Sequence, residues 1–213
     1  MALSGKTVER LSIYRRLLTV QGFSGEDYVY SHDLAEMISG TAAQVRRDLM
    51  EVGVTGHSKR GYRVDEMVAK ISELLDQPGG TELVLVGAGD LGRAVLGFIK
   101  GQRTAMRIAG AFDNDPTKIG CLIHGYRCQS IDALEDVVRA NGIEVAIITT
   151  PAAGAQEVCD RLVAAGVRGI ANFAPTPLQV PDGVWVERID IATALEKVTC
   201  LTRAAKAFAG SDK

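Results

Sequence analysis

The stretch ELVLVGAGDLGRAV, Glu82 to Val95, limits what this chain can fold into more than any other. An apolar run closes on G-x-G-x-x-G (Gly87, Gly89, Gly92), and an amphipathic helical pattern follows at once. A short run without polar alternation is a strand buried on both faces, as in parallel sheets covered by helices. Gly87 and Gly89 let backbone approach a pyrophosphate, Gly92 lets helix and strand pack closely, and the helix N-terminus offers free N–H donors. The next apolar stretch, RIAGAFDND, ends in Asp113, 21 residues past Gly92. An acid at that distance accepts hydrogen bonds from a ribose. Three glycines alone are a weak signal; strand, turn, helix, strand and acid in order specify a dinucleotide site. No arginine stands close to Asp113 to take a 2′-phosphate, and Asn114 and Asp115 follow it, so NAD(H) is expected over NADP(H).

The alternation continues through GYRCQ, IDALEDVVRANG, EVAIITTP, AAGAQEVCDRLVAAG, VRGIANF and GVWVER, closing a six- or seven-stranded sheet near Arg188. The helix after the glycine turn is expected to point Leu91, Val95 and Phe98 inward. Thr149, Thr150 and Pro151 end the strand after the topological switch, where ligands of such sheets bind. The candidate nucleotide contacts are therefore the turn itself (Gly87, Ala88, Gly89, Asp90, Leu91, Gly92), Asp113 and Asn114, and Thr149 to Pro151.

In a dehydrogenase this motif usually opens the chain and a catalytic domain follows. Here about eighty residues precede it in a chain of 213, and too little follows for a substrate domain. LLDQPGGTE holds the Pro-Gly-Gly that separates two patterns. The expected division is 1–78, a DNA-binding domain; 79–189, a Rossmann domain; and 190–213, a terminal helix and tail.

The first part reads as helices followed by a hairpin. Val8, Leu11, Tyr14 and Leu18 recur at helical spacing, Gly22 and the SGED turn end that helix, and YVYS is a short extended piece. Ser31 caps a second helix with Leu34, Ala35 and Ile38 inward, and Ser39–Gly40 makes a tight turn. Thr41 and Gln44 form a capping box for a third helix, with Val45, Leu49 and Val52 inward and Gly53 at its end. Two helices across a short glycine turn suggest a helix-turn-helix. Gln44, Arg46 and Arg47 project from the first turns of the second of them, where base edges are read. VTGHSKRGYRV reads as a hairpin after it, a wing whose tip Lys59 and Arg60, with Tyr62 beside them, meet DNA. The formal net charge is only −2, but Lys6, Arg10, Arg15 and Arg16 cluster against Glu9, and five cations stand against two acids over 41–63.

With 46% hydrophobic and 23% charged residues the chain suits a packed core rather than disorder. The N-terminus has no signal-peptide core and no apolar run is long enough for a membrane helix, so a cytoplasmic location is expected. Four scattered cysteines and three isolated histidines give no metal or disulfide framework. No tyrosine is followed four residues later by lysine, and no nucleophile–histidine pair suggests itself, so no catalytic residue is assigned. Ile191, Leu195, Val198, Leu201, Ala205 and Phe208 line one face of a last helix after the sheet is complete, and a second copy of the chain is the economical cover for it. A ligand-sensing DNA-binding protein accounts for both halves. An NAD-dependent oxidoreductase accounts for one, and a CoA- or nucleotide-binding subunit predicts a partner protein and no DNA affinity.

TAAQVRRDLMEVG, KRGY, VGAGDLG, AFDNDPTKIG and NFAPTPLQVPDGVWVERIDIA occur here in the order found in the Rex family of redox-sensing transcriptional repressors, and the resemblance runs from about Thr7 to Leu201. It implies a bacterial homodimer of winged-helix and Rossmann domains, with the C-terminal helix exchanged between subunits. Such proteins hold palindromic double-stranded operators when NAD+ prevails and release them when NADH binds; no hydride is transferred. It also implies that Thr149 to Pro151 lie on the nicotinamide side, and that Arg16 and Asp190 couple the DNA-binding domain to the partner's nucleotide domain. At Phe98 the family often carries a tyrosine near the nicotinamide, so the resemblance adds Phe98 to the nucleotide contacts; here the ring remains and the hydroxyl is gone.

Overall fold

The computed structural model describes residues 3–20, 27–101 and 105–210, the side chains of 205–210 excepted. The chain divides into two compact units, Met1–Gly79 and Gly80–Lys213. The first holds α1 (Gly5–Val20), β1 (Tyr28–Val29), α2 (Ser31–Met37), α3 (Ala42–Glu51), β2 (Tyr62–Arg63) and α4 (Val64–Leu75). Its core joins Leu11, Tyr14 and Leu18 of α1 to Leu34 of α2, Val45 and Leu49 of α3, and Val64, Met67 and Ile71 of α4. The stripe of α1 begins at Thr7, not at Val8, which is exposed. Positions 7, 11, 14 and 18 keep one face, and Val8 stands about 100° round the helix from it. The Gly22 and SGED turn lies outside the described residues.

Three other local expectations are corrected. Tyr30 rather than Ser31 is the N-cap of α2, and its N–H donates to the Asp33 carboxylate at 3.0 Å. Ile38 follows as the C-cap and is half-buried. Thr41 does cap α3, its hydroxyl oxygen accepting from the Gln44 N–H at 3.2 Å, but the Gln44 amide turns to Asp48 instead of closing the box. Val52 is the C-cap and only half-buried, and Gly53 follows with φ +74°. The segment 54–64 pairs with itself at a single rung, His57 opposite Gly61, and its two arms go to different partners. Val54 is buried and its N–H donates to Leu49 O at 2.9 Å, which draws the first arm under α3. Mutual bonds between His57 and Gly61 close the tip, and β2 pairs antiparallel with β1, Tyr28 opposite Arg63 and Val29 opposite Tyr62.

The second unit is built on β3 (Thr81–Val86), α5 (Asp90–Gly101), β4 (Met106–Asp113), β5 (Leu122–Ile123), β6 (Tyr126–Ser130), α6 (Leu134–Asn141), β7 (Val145–Ile148), α7 (Ala152–Ala165), β8 (Gly169–Asn172) and β9 (Trp185–Arg188), with α8 (Ile191–Gly210) last. The seven-stranded sheet has the order β5-β6-β4-β3-β7-β8-β9, parallel throughout except at β5–β6. From β6 to β9 this is a doubly wound order that reverses between β3 and β7, the place where such sheets bind ligands. Along β3 the side chains alternate: Leu83 and Leu85 join Leu96 of α5, whereas Val84 and Val86 join Leu134, Val158 and Leu162 of α6 and α7. Both faces are covered, as the unbroken apolar run requires.

On α5 the inward face is Gly92 and Leu96, with Val95 half-buried; Leu91 and Phe98 are 37% and 65% exposed. Gly92 must lie against the turn, and that sets the helix rotation. Leu91 and Phe98, seven residues apart, then share the adjacent outer face. On α8, Ile191, Leu195, Val198 and Leu201 are between 54% and 63% exposed. Among the described residues no helix is long and apolar enough to cross a membrane.

Candidate functional site

Where β3 gives way to α5, Gly87 takes φ +103°, a conformation that side chains rarely tolerate. A Cβ there would also stand 2.8 Å from the Thr149 carbonyl carbon. A Cβ on Gly92 would lie 1.9 Å from Gly87 O, so the helix can close on the turn only with glycine. Gly89 differs, because a Cβ on it would meet no protein atom within 4 Å. The protein's own packing makes no demand for glycine at Gly89, and the residue faces a cleft.

That cleft, about 690 Å³, lies along the C-terminal strand ends on both sides of the switch point, a size within the range of small-molecule sites. It brings together Gly87, Gly89, Asp90, Leu91, Asp113, Asn114, Thr149, Thr150 and Pro151 of the sequence-derived set. Ala88 and Gly92 are buried behind it, and Phe98 lies outside it. Thr149 donates its hydroxyl to Gly87 O at 2.7 Å, fastening the turn to the end of β7. The Thr150 hydroxyl is buried in the cleft wall with no hydrogen-bond partner, and a buried hydroxyl left so is costly unless a ligand completes it. The first hydrogen bond of α5 runs from the Arg93 N–H to Gly89 O, which leaves the preceding amides available at its N-terminus. Glycine where protein packing asks for none, an uncompleted hydroxyl and free helix amides fit a bound pyrophosphate-linked nucleotide.

Asp113, at the end of β4, is 6% exposed. Its carboxylate accepts from the Ala88 N–H at 2.7 Å, the Asp115 N–H at 2.9 Å and Lys118 Nζ at 3.1 Å. Burial pushes this carboxyl up, but the two amides and Lys118 outweigh it and hold it below the usual range. Lys118 is the cation that the sequence reading missed. It also reaches Asp115 at 3.7 Å, so two carboxylates flank one ammonium. That end stays net negative, which favours a ribose hydroxyl over a 2′-phosphate. The cleft also takes in Glu157, Arg161, Phe173 and Pro175. Arg161 is held by Glu135 at 2.5 Å and 2.9 Å and donates to Ile131 O at 2.8 Å. The available signals were KIG five residues after the ribose acid and NFAP at the end of β8.

In the first unit Arg47, Lys59 and Arg60 are exposed. Arg46 is exposed too, and its guanidinium donates to Ser31 Oγ at 3.1 Å, tying α3 to α2. The Arg60 guanidinium lies 5.9 Å from the Tyr28 ring centroid, within cation–π range. Tyr30 donates its hydroxyl to Lys59 O at 3.1 Å, fixing the other side of the tip. Tyr62 is half-buried against Gly56, so its ring supports the wing. Gln44 is half-buried, and its amide donates to Asp48 at 2.9 Å, directed into the unit rather than outward. Asp48 was not foreseen: it is 0% exposed, accepts from Arg10 Nε and Nη2 at 2.7 Å each, and accepts from the Tyr14 hydroxyl at 2.9 Å. Burial raises the Asp48 carboxyl, but the hydrogen bonds from Arg10, Gln44 and Tyr14 outweigh it and hold the group below its ordinary value.

Arg16 is exposed on α1. Asp190 is the cap of α8, accepting from the Thr193 N–H at 2.9 Å and the Thr193 hydroxyl at 2.8 Å, with Arg188 also against it. Those bonds hold the Asp190 carboxyl down at about 2. Among the described residues no group of three or more histidines, cysteines or acids could hold a metal ion.

Comparisons with known proteins match both units. A family model for a CoA binding domain matches residues 80–176, and one for a DNA-binding protein N-terminus matches residues 2–49. The redox-sensing transcriptional repressor Rex of Roseiflexus sp. is 43% identical over 192 residues, 90% of this chain and 87% of that protein. Rex of Carboxydothermus hydrogenoformans is 45% identical over 193 residues, 91% and 93% of the two chains. The crystal structure of RSP, a Rex-family repressor, superposes with TM-score 0.87 at 28% identity over 100% of both chains. RSP in complex with β-NAD+ and operator DNA gives 0.87 and RSP with β-NADH gives 0.85.

Proposed function

This chain belongs to the Rex family of redox-sensing transcriptional repressors, and we propose from that membership that it holds operator DNA and lets go as NADH binds its second unit. The observation that carries this reading is the kinship over about 90% of the chain, which takes in the basic helical unit and the nucleotide cleft together. The dinucleotide is an effector and not a substrate, so the protein is not an enzyme. NADH and NAD+ compete for one cleft, and their ratio sets the state of the repressor.

Site by site, the α5 amides and Gly89 receive the pyrophosphate, Asp113 takes the adenosine ribose, and Thr149 to Pro151 take the nicotinamide side. The bare Thr150 hydroxyl is the polar group there best suited to a bound nucleotide. Arg46 and Arg47 read the operator from α3, and Lys59 and Arg60 hold phosphates. We assign Gln44 and Tyr62 to supporting α3 and the wing, because their polar and aromatic groups are engaged within the unit. The working species is a cytoplasmic homodimer on a palindromic operator, with the exposed face of α8 covered by the second copy. Arg16 and Asp190 belong to the network joining the DNA-binding unit of one chain to the nucleotide unit of the other. Phe98, outside the cleft of a single chain, depends on that second copy for any contact near the nicotinamide.

Moving such a dimer from 1:99 to 99:1 in favour of release requires NADH to prefer the released state by about 10⁴-fold. Two clefts per dimer share that preference, about a hundredfold each. The test is binding to a palindromic operator probe while NADH is titrated against NAD+ at fixed salt. Release by NADH and not by NADPH is the expected outcome. Absence of DNA binding under every nucleotide condition sinks the reading, and turnover of NADH with a carbonyl substrate restores the oxidoreductase.

A further inference from the structure

We propose that Cys121 and Cys128 form a dithiol site that a hydroperoxide oxidises to an intramolecular disulfide. The inference does not depend on the nucleotide reading, because it rests on the hairpin of β5 and β6. The register there sets Leu122 opposite Arg127 and Ile123 opposite Tyr126, so the next rung outward is Cys121 opposite Cys128. The Cys128 N–H donates to Cys121 O at 2.9 Å, while the Gly120 N–H donates to Cys128 O at 2.8 Å. Gly120 has φ +85°. That is a β-bulge with glycine at its first position, in which the second bulge residue and the facing residue remain cross-strand neighbours. Facing residues of an antiparallel pair have Cα atoms about 4.5–5.5 Å apart, inside the window of about 4.4–6.8 Å that a disulfide needs.

The two thiols differ in the way a stepwise oxidation requires. Cys121 is exposed and Cys128 is buried. Burial lifts the Cys128 thiol, and Asp113 and Cys121 lift it further, so Cys128 is the poorer first nucleophile. The exposed Cys121 thiolate attacks the terminal oxygen of the hydroperoxide and breaks the O–O bond. Cys121 becomes a sulfenic acid and an alcohol, or water, leaves. The Cys128 sulfur then displaces hydroxide from the sulfenic sulfur, and its proton leaves with that hydroxide as water. Two thiols and one hydroperoxide thus give one disulfide, one alcohol and one water, the thiols supplying both electrons.

The other thiols are poorly placed to interfere. Cys159 lies buried in α7 within the opposite core cluster, and Cys200 is exposed on α8. The pair adjoins the nucleotide end of the sheet: Cys128 pairs with Ala111, two residues before Asp113, and the Cys121 N–H donates to Lys118 O at 3.0 Å.

The test treats the reduced full-length protein with hydrogen peroxide, blocks remaining thiols with N-ethylmaleimide and digests it with trypsin. Cleavage after Lys118, Arg127 and Arg139 puts the two cysteines in separate peptides, 119–127 and 128–139. The expected result is a linked 119–127/128–139 pair, free thiols halved from four, and reversal by dithiothreitol. Cys121→Ser keeps all its remaining thiols, and Cys128→Ala accumulates a sulfenic acid at Cys121 that dimedone traps. Sulfinic acid at Cys121 with Cys128 still alkylated overturns the proposal. So does a disulfide drawn from Cys159 or Cys200, or equal thiol loss in Cys121→Ser.

Discussion

Asp48 is a charge in the middle of an apolar core, and three neighbours make that tolerable. Replacing it with alanine leaves the Tyr14 hydroxyl buried without a partner and Arg10 without its counter-charge. Because Arg10 keeps 24% of its side-chain exposure and can rehydrate, the expected loss is about 2–4 kcal/mol in the first unit, measured by denaturant unfolding. The pH dependence follows in sign. A carboxyl held below its unfolded value stabilises fully above that value, near pH 4, and the contribution fades as the pH drops through the lowered folded pKa. Wild type is therefore expected to lose stability in acid below about pH 4 more steeply than Asp48→Asn. Asp113 supports a different expectation. Asp113→Ala removes the proposed ribose acceptor and releases Lys118 from its closer carboxylate. NADH affinity should fall about tenfold while the preference for NADH over NADPH shrinks, both read by fluorescence titration. An unchanged preference would show that Lys118 does not face the 2′ position.

Among elements, α3 is the one we propose for the operator contacts, and its two arginines are not equivalent. Arg46 is spent partly on Ser31, whereas Arg47 is exposed. Arg47→Ala is expected to weaken operator binding by about 1–3 kcal/mol with NADH affinity unchanged; an effect on NADH alone would displace the recognition helix from α3. The glycine turn, the alternation of strands and helices after it and the exposed last helix were legible because each rests on local periodicity and short spacings. The faces of α1 and α5 were less so. Val8 and Phe98 look like core residues by hydropathy, but helix rotation is fixed by the closest contact, and at α5 that contact is Gly92 on Gly87 O. Lys118 and Asp48 were missed for a common reason. Each is a polar residue whose partners are distant in sequence or lie in a turn, so nothing in the local pattern separates it from a solvated charge. The wing was placed correctly and paired wrongly, because Val54 is claimed by the core and β2 finds β1.

For the molecule as a whole, the apolar face of α8 is the feature that asks for a second copy. Leu195 is 63% exposed and Val198 is 61% exposed in the single chain, so Leu195→Glu with Val198→Glu should cost the monomer within about 0.5 kcal/mol each. If the face is the dimer seam, the same double change yields monomers in sedimentation and abolishes operator binding, while the second unit still binds NADH. A dimer that persists puts the seam elsewhere. The exposed stripe on α8 also has a consequence for gene dosage. An assembly completed by a second chain forms in proportion to the square of the free chain concentration when subunits are scarce. Halving expression would then cut the repressing species about fourfold, a loss that no change in nucleotide supply reproduces. The operator would report how much protein the cell makes as well as how reduced the cell is, and a strain with lowered expression should shift its induction threshold even at a fixed NADH/NAD+ ratio.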